Sequence, residues 1–137
     1  MTPDDIFSAA RQCLGTPFRH QGRLVIFGLD CAGVVIHTAR QCGAGVIDLE
    51  GYSRTPSGGI LEQALDGQPY LERVALANRA PGDILLMRFA SDPQHLAIFS
   101  RDSIIHAYES VGICCEHRLS SMWAGKIVRV YRFLGIE

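Results

Sequence analysis

Apolar positions in the first third of the chain recur at helical spacing. Ile6, Phe7, Ala10, Cys13 and Leu14 form one stripe of a helix that Thr2 can cap, with Pro3 in the first turn and Asp5 at the capping-box position. Gly15 ends it. The same period returns from Asp30 through Val34, Val35, Thr38 and Ala39 to Cys42, and Gly43 supplies a residue that stops a helix. Between the two, Thr16 to Gly28 carries Pro17, Gly22 and Gly28 among polar residues and reads as a long loop. Loops of that length are commonly functional.

Gly51 to Gly59 is a turn-rich connection, followed by a short third helix over Ile60 to Leu65 that Asp66-Gly67 stops. The pattern then changes from helical period to alternation. Leu71 to Val74, Asp83 to Arg88, His95 to Ser100, Ser103 to Ala107, Ile113 to Arg118 and Ile127 to Phe133 predict strands, separated by Pro-Gly, Asp-Pro and Arg-Asp turn signals. Helices first and strands afterwards give an α+β class: N-terminal helices packed on a C-terminal antiparallel sheet of five to six strands. At 137 residues the chain suits one domain spanning 1–137.

Charge narrows the partners. Lys and Arg total 13 against 14 Asp and Glu, with no basic run, so neither nucleic acid nor an anionic membrane is expected to bind. The start, MTPDDIFSAARQ, has no basic segment leading an apolar one, so a cytoplasmically made chain without a signal peptide is expected. Five cysteines, an odd set with two adjacent, suit reduced thiols better than a disulfide framework.

One of those thiols has a distinctive setting. VIFGLDCAGVV puts Cys31 where the loop becomes a helix, and unpaired N–H groups there favour thiolate, so a lowered pKa is expected. A base can come from the strands. If His95 to Ser100 and Ser103 to Ala107 form a hairpin around Arg101-Asp102, Phe99 faces Ile104 and His106 faces Ala97. His95 and His106 then share a face as diagonal neighbours, about 7–8 Å apart. A turn one residue different would part them. Cys31 as nucleophile, His95 as base and His106 as its orienter form a set for acyl transfer, most simply amide hydrolysis through a thioester. The Cys31 backbone N–H can serve the oxyanion. Against this stand the ordinary roles of a cysteine as a small core residue and of a strand histidine as a structural hydrogen-bonder.

The other candidates have plainer readings. Cys13 and Cys42 belong to apolar helix faces, Cys114 and Cys115 to opposite faces of one strand, and His37 faces away from Cys31. Arg19, His20 and Gln21 stand in the loop before the nucleophile, where they can line a cleft. His117 reads as an exposed strand residue, Trp123 as a packing anchor and Asp30 as the cap of the Cys31 helix. A zinc site of His106, Cys114, Cys115 and His117 lacks the second pair of ligands that structural sites repeat, so no metal or cofactor is expected.

LGTPFRHQGR, then GLDCAGVV, then PGDILLMRF, then QHLAIFSRDSIIHAYES resemble, in order and spacing, the NlpC/P60 family of cell-wall peptidases. The likeness runs from about Leu14 to Ala107 and is similar in form to short proteins of phage tail modules. It implies a papain-like fold and cleavage of peptidoglycan stem peptides, typically between D-γ-glutamate and a diamino acid. It also implies possible tail-protein partners and action at the cell wall. Matched position by position, Cys31 is the nucleophile, His95 the base and His106 the third polar residue. Asp30, Phe18, Arg19 and His20 fall in the substrate-binding part. Two positions depart: the aromatic after Gly-Thr-Pro is Phe18 rather than tyrosine, and Ala32 follows the cysteine where serine is common. These departures motivate the alternative of an inactive peptidoglycan-binding module. An amidase or acyltransferase using the same Cys/His pair is a further alternative.

Overall fold

The computed structural model describes residues 1–48, 51–53, 58–89 and 93–136. The turn-rich stretch expected over 51–59 and the Asp92-Pro93 turn fall partly outside them.

Helix α1, Pro3–Arg11, begins with the expected capping box: the Thr2 hydroxyl accepts from the Asp5 N–H and the Asp5 carboxylate accepts from the Thr2 N–H. It stops at Arg11 and continues only as a turn to Gly15, so Cys13 is buried while Leu14 is exposed. Helix α2, Cys31–Cys42, is capped by Asp30, whose side chain accepts from the Gly33 N–H at 2.8 Å; Gly43 ends it in the left-handed conformation at φ 75°. Helix α3 covers Ile60–Asp66.

The expected long loop contains a small hairpin, β1 (Arg23–Leu24) antiparallel to β2 (Gly28–Leu29), too short for alternation to reveal. It lies hard against the start of α2. A Cβ on Gly33 would come within 2.2 Å of the Gly22 carbonyl oxygen, so only glycine in the first turn of α2 lets the loop approach this closely.

The remaining strands are β3 (Leu71–Val74), β4 (Ile84–Arg88), β5 (Pro93–Phe99), β6 (Ser103–Tyr108), β7 (Ile113–Arg118) and β8 (Ile127–Phe133). They form one antiparallel sheet in the order β3-β8-β4-β5-β6-β7. The expected hairpin register is present: Phe99 pairs with Ile104, and the Ser100 N–H donates to the Ser103 carbonyl at 2.9 Å. A short helix α4 (Ser121–Ala124), not foreseen in the pattern, precedes β8.

The sheet buries both faces. Ile84, Leu86, Leu96, Ile98 and Ile105 pack against Ile6, Ala10, Val34, Val35 and Ala39 of α1 and α2. Leu85, Met87, Ala97, Phe99, Ile104 and Val130 form a second core, covered in part by Leu119 and Trp123. Burying each of the larger side chains contributes about 1.5–3 kcal/mol, so both layers hold the sheet in place. Among the described residues no helix is long and apolar enough to cross a membrane.

Candidate active site

A cleft of about 280 Å³ opens where the start of α2 meets one end of the sheet. Cys31 and Ala32 come from the helix, Gln94 and His95 from the start of β5, and Ala107 to Ser110 from the end of β6 and the turn beyond it. Phe18, His20, Asp30 and Tyr52 form the loop side, and Phe89 follows β4. Strand parity sets His95 and His106 on the sheet face of Ala97 and Ile104, whereas α2 packs on the other face. Cys31 and His95 nevertheless line one cleft, beside an irregular stretch of β4–β5 pairing.

The loop wall is a knot of charges. Asp30 is buried, and its carboxylate accepts from the N–H groups of Gly33 and Gln21, each at 2.8 Å, from Arg23 Nη1 at 2.9 Å and from the Tyr52 hydroxyl. Arg23 also reaches the Asp48 carboxylate through Nε at 2.9 Å and the Tyr52 hydroxyl through Nη2 at 2.8 Å. Burial opposes the Arg23 charge, but the Tyr52 hydroxyl and the Asp30 and Asp48 carboxylates hold its pKa above the usual value. Burial and then the Asp30 contact push the Tyr52 phenol up, so it keeps its proton and donates.

The sheet wall is a line of imidazoles. His95 Nε2 lies 2.6 Å from His106 Nδ1, His106 Nε2 lies 2.9 Å from His117 Nε2, and His117 Nδ1 lies 3.0 Å from the Arg118 carbonyl oxygen. Phe89, Tyr108 and Trp123 box them in: Tyr108 stacks on His106 at 5.5 Å, and Trp123 meets the His106 and His117 rings at 5.4 and 4.9 Å. Burial, then repulsion from His106 and His117, holds His95 well below the ordinary imidazole value. Burial and then His117 bring His106 down to about 4. At neutral pH these two rings carry no charge.

Cys31 is half-buried at the cleft floor. The lowered pKa expected from its helix-start position is not what the structure gives. Burial and the nearby Asp30 charge push the thiol up to about 12, and hydrogen bonds from the backbone N–H groups of Leu96 and Ala32 offset this only in part. Desolvating a compact anion costs more than the partial charge of a helix end returns.

The other expected residues divide. His20 lines the cleft, edge-on to Tyr52 at 5.5 Å, and Phe18 lines it too. Arg19 does not: it is exposed, with its aliphatic stem lying over Gly28. Gln21 holds Asp30 through its backbone, and its side chain donates to the Tyr52 carbonyl at 2.8 Å. His37 meets Gln12 outside the cleft. Cys13 and Cys114 are core residues, and Cys42 packs against the same core.

Two residues exceed the sequence reading. His117 is not an exposed strand residue but the outer link of the imidazole line. Its signal lay in the β6–β7 hairpin, where pairing Tyr108 with Ile113 sets His106 opposite Cys115 and His117 opposite Ile104, all on one face. Tyr52 brings a hydroxyl to the cleft that Phe18 lacks, from a turn-rich stretch with no periodic signal. The four-ligand zinc grouping does not form, because Cys114 faces the helix-side core. His106, Cys115 and His117 do offer ligand atoms within 4.8 Å of one another and could hold a metal.

Comparisons with known proteins bear on this geometry. A family model described as NlpC/P60 family matches residues 15–132. No curated protein matches the chain. Among solved structures, an NlpC/P60 family protein from Bacillus cereus is similar at 18% identity and a TM-score of 0.71, over 98% of this chain and 41% of that one. The NlpC/p60 domain of the peptidoglycan hydrolase SagA is similar at 19% identity and a TM-score of 0.65, over 95% and 97% of the two chains. The peptidoglycan hydrolase RipB from Mycobacterium tuberculosis is similar at 14% identity and a TM-score of 0.65, over 95% and 63%. The chain thus spans about two fifths of the Bacillus cereus protein. At these identities the likeness shows the fold.

Proposed function

This chain belongs to the NlpC/P60 family, and on that premise we propose that it is a cysteine peptidase that hydrolyses peptidoglycan stem peptides. The observation that carries the reading is the shared cleft of Cys31 and His95, with the His95 ring held by His106. Both partners rest uncharged, since ionising either alone is opposed by burial. Moving one proton from Cys31 Sγ to His95 as the sulfur attacks creates the two charges together, each beside the other. The attacked carbonyl becomes a tetrahedral oxyanion, for which the Cys31 backbone N–H is a donor. Its collapse expels the amine, protonated by His95, and leaves a thioester that water then hydrolyses with His95 as base.

The bond between D-γ-glutamate and the diamino acid is the proposed target, with Asp30, Phe18 and His20 on the substrate side of the cleft. Association with a phage tail is a further proposal, tested by looking for the polypeptide in purified virions. The central experiment is digestion of purified sacculi followed by mass analysis of the products. Split stem peptides released by the native protein and not by Cys31→Ala are expected. Intact sacculi from several peptidoglycan types, with muropeptide binding unchanged in Cys31→Ala, would instead establish an inactive binding module. Release of whole stem peptides from the glycan would mark an amidase.

A further inference from the structure

We propose that His117 is a positioning residue that sets the tautomer of the proposed base, His95, by acting through His106; this rests on the reading of His95 as the proton acceptor. The outer end of the line sets the direction of every hydrogen bond along it. A carbonyl oxygen only accepts, so the 3.0 Å contact with Arg118 requires the proton of a neutral His117 on Nδ1. Its Nε2 is then a lone pair, and the 2.9 Å contact there requires His106 to donate from Nε2. An uncharged His106 consequently has its lone pair on Nδ1. That lone pair, 2.6 Å away, takes a hydrogen from His95 Nε2. The His95 proton is thereby placed on the nitrogen turned from the reaction, and Nδ1 is left as the basic atom for the cleft that His95 shares with Cys31.

Direction is the point of the arrangement. Two neutral imidazoles in contact can share a hydrogen bond in either sense, and in the reverse sense His95 would carry its proton on Nδ1 and could accept none from the thiol. His106 alone leaves both senses open. The Arg118 carbonyl breaks the tie because it has no hydrogen to give, and His117 transmits that preference inward. Trp123, in contact with the His106 and His117 rings, keeps the outer link seated against β6.

The test reads tautomers directly, by side-chain nitrogen chemical shifts of the three rings in the full-length protein at neutral pH. Expected are protonated-type signals for His95 Nε2, His106 Nε2 and His117 Nδ1, and lone-pair-type signals for the other nitrogen of each ring. In His117→Phe, which keeps a flat ring beside Trp123 but removes the acceptor, the His95 signals should move toward an average of the two tautomers. In His117→Gln, whose side-chain oxygen can accept from His106, they should return. On peptidoglycan fragments, kcat of His117→Phe should fall about two- to tenfold, the worth of one neutral hydrogen bond, with KM unchanged, and recover in His117→Gln. A native His95 protonated on Nδ1 would overturn the proposal even if neither variant folded. So would His95 signals in His117→Phe identical to the native ones. The tautomer measurement needs no substrate. A protein with the expected shifts and no hydrolysis would thus fail the peptidase reading alone, whereas active protein with shifts indifferent to residue 117 would fail this one.

Discussion

The two walls of the cleft solve opposite problems with buried polar groups. On the loop side, Asp30 and Arg23 are charged and saturated with partners, and their carboxylate and guanidinium contacts lock the start of α2 to the hairpin and to Tyr52. On the sheet side, His95 and His106 are uncharged and joined end to end. A saturated ion-pair network resists any change in charge because each lost partner strands another group. A line of neutral imidazoles can pass hydrogens along with little change in charge. The first wall therefore fixes where the sulfur stands, and in the proposed reaction the second would take its proton.

That contrast can be broken by substitution. The largest effect is expected from His106→Phe, which keeps the ring volume among Tyr108 and Trp123 but removes the partner of His95. Turnover on peptidoglycan fragments should fall about 10³-fold, with a loss of about 1–3 kcal/mol in unfolding free energy at neutral pH from the unpaired His95 Nε2. A strong loss of stability with activity retained would reverse the roles assigned to the walls. Asp30→Ala should do the opposite. Removing the buried carboxylate takes one partner from Arg23, which keeps Asp48 and the Tyr52 hydroxyl, and leaves the Gly33 and Gln21 N–H groups without their acceptor, at a cost of about 3–5 kcal/mol in unfolding free energy. Thermal and chemical unfolding measure it directly.

Acid should act on the sheet wall next. The folded pKa of His106 is depressed to about 4, so below the ordinary value of 6.5 the unfolded chain takes up a proton that the folded chain refuses. Stability is therefore intact above about pH 6.5 and is lost as pH falls toward 4, by about 3 kcal/mol from His106 alone. Urea unfolding across this range should show the slope in the native protein and a shallower one in His106→Phe. A flat native profile would mean that these rings are not buried as neutral species. The smallest effect is expected from Tyr52→Phe. It deletes one hydroxyl from the loop wall while Arg23 and the backbone still hold Asp30, and should cost about 1–2 kcal/mol in thermal unfolding.

Much of this was readable before any coordinates. The Thr2 capping box, the Asp30 cap and the Gly43 stop are local chemistry, complete within four residues, and each stands where its motif implies. The meeting of His95 and His106 follows from alternation and a two-residue turn, because hairpin register is a counting rule. The same count across β6–β7 places His117, but an isolated strand histidine has so many ordinary roles that the sequence does not single it out. The Cys31 pKa departs from expectation for a different reason: a helix start is visible in the chain, but the surrounding desolvation is not. Tyr52 could not have been found, since nothing near it in sequence points to Asp30.

Periodicity and short-range chemistry in this sequence determined the elements, the α+β order, the loop-to-helix setting of Cys31 and the shared face of two histidines. These depend on neighbours a few residues apart, and such neighbours are fixed by covalent connection. Only the tertiary structure decided that the helix start and the imidazole line meet at the same end of the sheet, that the half-buried sulfur rests as a thiol, and that Arg23, backed by Asp48, and Tyr52 converge on Asp30. Those outcomes depend on how separate layers pack and exclude water, and packing between distant segments is written in no local stretch of chain.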